Sequence, residues 1–323
     1  MKRREFLTSA LAISALWPSA QVIAQTPSRT GRLVWPYPAG GSADALARIV
    51  VQAISARSGQ SFVVENRAGA GGRTGTASVV QAEPDGQTLL LATVALMSIF
   101  PIIYPKLNYD PFRQFTSLSQ IARFDIALVV GPEIPARTIS ELLDWIRKNP
   151  AKASYSSPAA GSLPHFFVTA LAQKAKLDLQ YVPYAGAPPA LNDVMSGHLP
   201  FMTLATADAL GLHTSGKIKV LATSGSERSI VLPDVPTFRE QGFDIEGYGW
   251  YAIYGPAGMS DETRNRWSEL IQEIVKSEDV GNQIRKLGIE PTGTTSAELA
   301  VLQKYDFEKW TPIVKSSGFT PAQ

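Results

Sequence analysis

Three stretches bring glycines, a hydroxyl and a helix start together, and that combination can hold an anion. In the first, Arg32-Leu-Val-Trp-Pro-Tyr-Pro-Ala-Gly-Gly-Ser-Ala-Asp-Ala-Leu-Ala-Arg48, the apolar run Leu33–Trp35 reads as a buried strand stopped by Pro36 and Pro38. Gly40 and Gly41 let the backbone turn with no Cβ penalty. Ser42 then stands where an N-cap belongs, ahead of the apolar pattern Leu46, Ile49, Val50. Such a start leaves N–H groups unpaired under the positive end of a helix dipole. The same residues would also serve an ordinary strand-to-helix turn with no ligand. Asp44 suits the dipole but would repel an anion unless a backbone donor, a water or a cation takes up its charge. The second stretch, Ser154-Tyr-Ser-Ser-Pro-Ala-Ala-Gly-Ser-Leu-Pro-His165, repeats the theme, with Ser162 as cap and Pro164 and His165 in the first turn. The third, Val182-Pro-Tyr-Ala-Gly-Ala-Pro-Pro189, offers Tyr184 either to packing or to a cleft.

Other motifs point away from catalysis. Gly69-Ala-Gly-Gly-Arg-Thr-Gly75 lies between a strand and a helix, as a dinucleotide loop would, but Thr74 stands where the third glycine should be, so it reads as a tight structural loop. No G-x-S-x-G elbow accompanies the serines and histidines. His165, His198 and His213 lack metal-ligand spacing, and there is no cysteine to help them. No pair of carboxylates is spaced for acid–base work. A binding protein is therefore expected, with no catalytic residue, no metal and no cofactor.

The first 24 residues read as an export signal. Lys2, Arg3 and Arg4 precede the short apolar region Leu7–Trp17, and Ala24 offers a cleavage point. Arg3-Arg4-Glu5-Phe6-Leu7 resembles a twin-arginine signature. Removing Lys2, Arg3, Arg4 and Glu5 leaves 27 basic and 27 acidic residues, so the apparent basicity belongs to the signal and no nucleic-acid footprint remains. No later apolar run is long enough to span a bilayer. A chain without cysteine has neither disulfides nor a lipoprotein anchor.

These stretches sit in an alternation of strands and helices. Strands are expected at Leu33–Trp35, Phe62–Glu65, Thr88–Thr93, Ile126–Val130, Ala153–Ser156, Leu179–Val182, Phe201–Thr203, Lys219–Ala222 and Gly249–Tyr254. Helices are expected at Asp44–Arg57, Thr76–Gln81, Ile139–Lys148, Leu163–Lys174, Ala190–Ser196, Ala207–Thr214, Asp261–Ser277, Val280–Lys286 and Ser296–Lys315. Residues 98–115 carry three prolines and read as irregular. Two α/β series joined by two extended segments predict two domains connected twice: residues 25–127 with 246–323 as one lobe, and 128–245 as the other.

At this point the chain resembles a known family. Pro36-Tyr-Pro-Ala-Gly-Gly-Ser-Ala-Asp44 with Ala47-Arg48 is similar to the opening motif of the Bug/TctC-type solute-binding proteins of tripartite tricarboxylate transporters. Val64–Gly75, Pro84–Leu90, Tyr109–Pro111, Val182–Gly186, Leu232–Thr237, Gly255–Ala257, Lys309-Trp310 and Ser317-Gly318 follow in the family's order. The resemblance implies a two-lobed periplasmic-binding-protein fold (type II), each lobe a sheet flanked by helices. It implies a periplasmic receptor that captures a small carboxylate between the lobes and passes it to the membrane subunits of the transporter. The protein is expected to be a monomer that does not insert into the membrane. A ligand-loaded sensor for a histidine-kinase ectodomain and a secreted hydrolase are the alternatives. The ligand-binding residues implied are Tyr37, Ala39, Gly41, Ser42 and Asp44 in the first loop, Thr93, then Ser157, Ala160, Ser162 and His165, then Tyr184 and Gly186. Where the family has a Phe-Asp-Asn run, this chain has Thr203-Leu-Ala205, which makes the wall at Leu204 apolar and points to an aromatic or apolar carboxylate or dicarboxylate.

Overall fold

A computed structural model describes residues 30–320. The export-signal reading of residues 1–24 falls outside them. Among the described residues no helix is long and apolar enough to cross a membrane.

The chain opens with strand β1 (Gly31–Trp35), helix α1 (Ser42–Ser58), β2 (Phe62–Asn66), α2 (Arg73–Val80) and β3 (Thr88–Thr93). Leu33 and Val34, and Leu89 to Leu91, are buried on both faces of the sheet, as parallel strands covered by helices must be. A helical stretch at Ala95–Ile99 runs on into α3 (Phe100–Ile103), where irregular chain was expected. Its apolar residues Leu96, Met97, Ile99 and Phe100 are all buried, and Pro101 falls in the first turn of α3, where it removes no intrahelical bond.

Strand β4 (Phe115–Val130) is far longer than the apolar segment Ile126–Val130 that announces it. Its first part alternates polar residues such as Ser117, Ser119 and Gln120 with register shifts, so no clean period marks it. It is followed by α4 (Ile139–Lys148), β5 (Ser154–Ser156), α5 (Leu163–Ala175), β6 (Gln180–Tyr181), α6 (Ala187–Met195), β7 (Phe201–Ala205), α7 (Thr206–Thr214) and β8 (Lys219–Thr223). The chain returns through β9 (Tyr248–Pro256), α8 (Asp261–Lys276), α9 (Glu278–Lys286), β10 (Glu290–Pro291) and α10 (Ser296–Ser316).

The strands form one curled ladder in the order β2-β1-β3-β9-β4-β7-β5-β6, with β8 and β10 also on β4. β4 belongs to two halves of it. From Phe115 to Asp125 it pairs antiparallel with β9, and from Ile126 to Val130 with β7. The change of partner is pinned by Ser224, whose Oγ accepts from Ile126 N–H at 2.8 Å and donates to Gly247 C=O at 2.6 Å. The two chain segments that connect the halves therefore run side by side through one hydroxyl. A further tie comes from the segment after α10, where Phe319 packs edge-on against His165 and Phe166 of α5.

Candidate functional site

Four helices start on one cavity between the two halves: α1 at Gly41 and Ala43, α5 at Ser162 to Pro164, α6 at Gly186 to Pro188, and α7 at Ala205 and Asp208. The open volume, mouth included, is about 830 Å³, enough for a small organic ligand.

At the start of α1, Gly41 rather than Ser42 is the N-cap, in extended conformation at φ −94° and ψ 175°. Ser42, Ala43 and Asp44 are then the first helical residues, whose N–H groups find no acceptor within the helix. Ser42 N–H donates across the cavity to Asp208 Oδ1 at 2.8 Å. Ser42 Oγ is buried with no hydrogen-bond partner, and its polar neighbours are Asp208 and Tyr251. Asp44 is turned aside. It accepts from Arg48 Nε at 3.0 Å, from Asn66 Nδ2 at 2.9 Å and from Gly40 N–H at 3.3 Å. Burial pushes the Asp44 carboxyl up, but Arg48, Asn66 and Gly40 together outweigh it and hold it below the usual range. Its charge is taken up by its own loop, so it does not repel a ligand at the helix start. The glycine-rich loop is the buttress behind this loop. A Cβ on Gly72 would lie 2.9 Å from the Tyr37 ring, and one on Gly75 would lie 2.4 Å from Arg67 C=O.

Across the cavity, Ser162 is the N-cap of α5 at φ −75° and ψ 164°, but its side chain caps nothing. Ser162 is only 7% exposed, lines the cavity, and its Oγ has no partner. Pro164 in α5 and Pro188 and Pro189 in α6 carry no N–H, so the donors left on this side are few: Leu163 and His165 in α5 and Ala187 in α6. The walls between the helix starts are aromatic. Phe124 stacks on Tyr251 with centroids 4.6 Å apart, and Trp35 packs on Tyr37 at 4.8 Å and on Tyr251 at 6.0 Å. Burial pushes the Tyr37 phenol up to about 12, so it remains a neutral donor.

Of the residues expected at the site, Tyr37, Ala39, Gly41, Asp44, Thr93, Ser162 and Gly186 line this cavity; Ser42 does not, but its backbone N–H bonds Asp208, which does. Ala160, Ser157, His165, Tyr184 and Leu204 do not line it. Ser157 Oγ closes its own turn on Ala159 C=O at 2.9 Å, and the neighbours Pro158 and Ala159 face the cavity instead of Ala160. His165 follows the cavity-lining Pro164, and a step of about 100° around the helix sends its ring into a box of Tyr155, Tyr181, Phe166 and Phe319. There its Nε2 lies 3.2 Å from Tyr155 Oη, and burial alone pushes the imidazole down to about 4. Tyr184 bonds Asp193 on α6. Leu204 is fully buried in the core behind β7, and it is Ala205 that reaches the cavity. The sequence reading omitted Asp208, Tyr251, Trp35 and Phe124. Asp208 looks like any acid in a first helical turn, and the aromatic residues are indistinguishable in sequence from strand core.

A cleft between two α/β halves, entered by opposed helix starts, is the architecture of a two-lobed solute-binding protein. The chain belongs to the tripartite tricarboxylate transporter family receptors, whose family model matches residues 46–319. It is 32% identical over 317 residues to a protein of Pseudomonas sp. (strain P51), described as the UPF0065 protein in the tcbD-tcbE intergenic region, covering 97% of this chain and 94% of that one. Among solved structures it is similar to R. palustris Rpa4515 with adipate, at TM-score 0.88 and 27% identity, covering 92% of this chain and 100% of the other. It is also similar to the periplasmic binding protein BugD, at TM-score 0.84 and 28% identity, covering 90% and 99%.

Proposed function

We propose that this chain is a periplasmic receptor that closes two lobes around a small carboxylate with an apolar or aromatic body and hands it to the membrane subunits of its transporter. The lobes are residues 25–127 with 246–323, and residues 128–245. The protein acts as a monomer and carries out no chemistry on its ligand. One observation carries this reading: an aromatic cavity between opposed helix starts is lined by a buried serine hydroxyl, Ser162, with no partner in the protein, and the facing start of α1 holds a second unpaired hydroxyl, Ser42, beside the cavity-lining Asp208. A buried hydroxyl left unpaired is costly, and a ligand oxygen would satisfy it. Family membership supports the transporter role, and the adipate in a similar structure supports the ligand class.

The test is mass spectrometry of whatever co-purifies, followed by thermal shift and small-angle scattering with a panel of carboxylic acids. At least one acid is expected to raise the melting temperature and reduce the radius of gyration. A panel in which no acid moves either quantity would overturn the reading.

A further inference from the structure

The α1 start, the more donor-rich of the two sides, already holds a carboxylate that belongs to the protein. Asp208 is the third residue of α7, where an acid ordinarily serves its own helix. Here the side chain reaches over the cavity, and Oδ1 takes Ser42 N–H. Its Oδ2 has no hydrogen-bond partner among the described residues, and Asp208 borders the cavity. No lysine or arginine lines that cavity. The other acid there, Asp44, is already matched by Arg48. Asp208 is half-buried, and burial pushes its carboxyl up against the pull of Ser42, so an ionised carboxylate here, with no cation beside it, gains from a counter-charge that arrives with the ligand. Tyr251 near it, with Trp35 packed on Tyr251, lines the cavity with aromatic rings that attract a cation.

We infer that Asp208 is the specificity-determining residue of this receptor. It occupies the place of one ligand carboxylate at α1 and selects, in its stead, a protonated nitrogen. The preferred ligand is then a zwitterion, with its carboxylate at Ser162 and the starts of α5 and α6 and its nitrogen at Asp208 Oδ2. A dicarboxylate would bring a second negative charge against Asp208 with nothing between them. This inference rests on the receptor reading above and narrows the ligand class within it.

The experiment is isothermal titration of the parent protein and Asp208→Asn with three acids of nearly equal length: adipate, 6-aminohexanoate and hexanoate. The rigid set terephthalate, 4-(aminomethyl)benzoate and 4-methylbenzoate controls for shape. In the parent, the amino acid of a set is expected to bind at least ~10-fold tighter than its dicarboxylate, since the dicarboxylate brings like charges together in a partly buried site. In Asp208→Asn the amino acid should weaken by ~10- to 100-fold, the loss of one charge-assisted bond, while the monocarboxylate should change little. A parent protein that prefers the dicarboxylate overturns the assignment, and so does an unchanged preference in Asp208→Asn. If that variant does not fold, the three-way ranking on the parent alone still decides. Binding of none of the six acids would overturn the carboxylate receptor itself, whereas a dicarboxylate preference would overturn only the role of Asp208.

Discussion

The starts of α1 and α5 face each other across the cavity and solve the same electrostatic problem in opposite ways. The α1 start keeps every backbone donor and supplies an acid from across the cleft, Asp208, to one of them. The α5 and α6 starts give up donors to prolines but present no acid, and Ser162 waits unpaired. A helix N-terminus is therefore not in itself a ligand grip. What decides is whether the protein has already filled it. The two sides also differ in their supports. The α1 loop is braced by an ionised network around Asp44, and the α5 start by a neutral imidazole.

That last difference separates the two sides on the pH axis and carries the largest expected effect. His165 is pushed down to about 4 from an ordinary 6.5, so between those values the unfolded chain binds the extra proton. Its stabilising contribution is complete above pH 6.5 and is lost as pH falls towards 4, by about 3 kcal/mol in all. Asp44 runs in the same direction but lower on the pH axis. Its carboxyl is held low, so its contribution is present above the unfolded value near 3.8 and is lost only below it. Melting curves of the parent and His165→Gln should diverge between pH 6.5 and 4, with the variant flatter. Parallel curves in that window would mean that the imidazole is not held neutral, and the contrast between the supports would collapse.

Sequence patterns gave away the alternation of strands and helices because most strands are short apolar runs next to turn residues, as at Thr88–Thr93 after the Pro84-Asp85-Gly86 turn, where expected and observed bounds coincide. They did not reveal Phe115–Asp125, because a strand with irregular register and mixed polarity has no period to read. For the site, the loops were legible and the side chains were not. Gly41, Ser162 and Gly186 sit at turns whose chemistry is local. Whether His165 or Pro164 faces the cavity depends on a third of a helical turn, and Asp208 reaches Ser42 over a sequence separation of 166. Nothing local encodes such a contact.

Next in size is the serine pair. If Ser162 Oγ is an empty ligand contact, Ser162→Ala should weaken 6-aminohexanoate by ~10- to 100-fold, the value of a charge-assisted hydrogen bond. Stability should hold or rise slightly, because the hydroxyl caps nothing and is already unpaired. Ser42→Ala should weaken the same ligand by less, since the Ser42 contact seen in the structure is through the backbone and goes to Asp208. Calorimetry with thermal melts measures both. Equal losses at the two serines would make the two sides equivalent and break the comparison.

The smallest effect concerns the adjacent glycines of the first loop, and it sharpens where the α1 start tolerates change. Of the two glycines that make this turn, Gly41 is extended, and it is Gly40 that has φ +103°. A Cβ on Gly41 would lie 3.7 Å from Asp208 Oδ1, an ordinary contact, while one on Gly40 would meet nothing within 4 Å. Space and backbone therefore give opposite rankings. At Gly40 the space is open but L side chains avoid the conformation, at a cost of about 1–2 kcal/mol. At Gly41 the conformation is open and the neighbour is Asp208 itself. Gly40→Ala should lower stability by about that amount and leave ligand preference alone. Gly41→Ala should stay within ~0.5 kcal/mol of the parent. Urea unfolding of the two variants measures the difference. If Gly41→Ala proves the more destabilising, the extended N-cap is wrong, and with it the geometry that hands Ser42 N–H to Asp208.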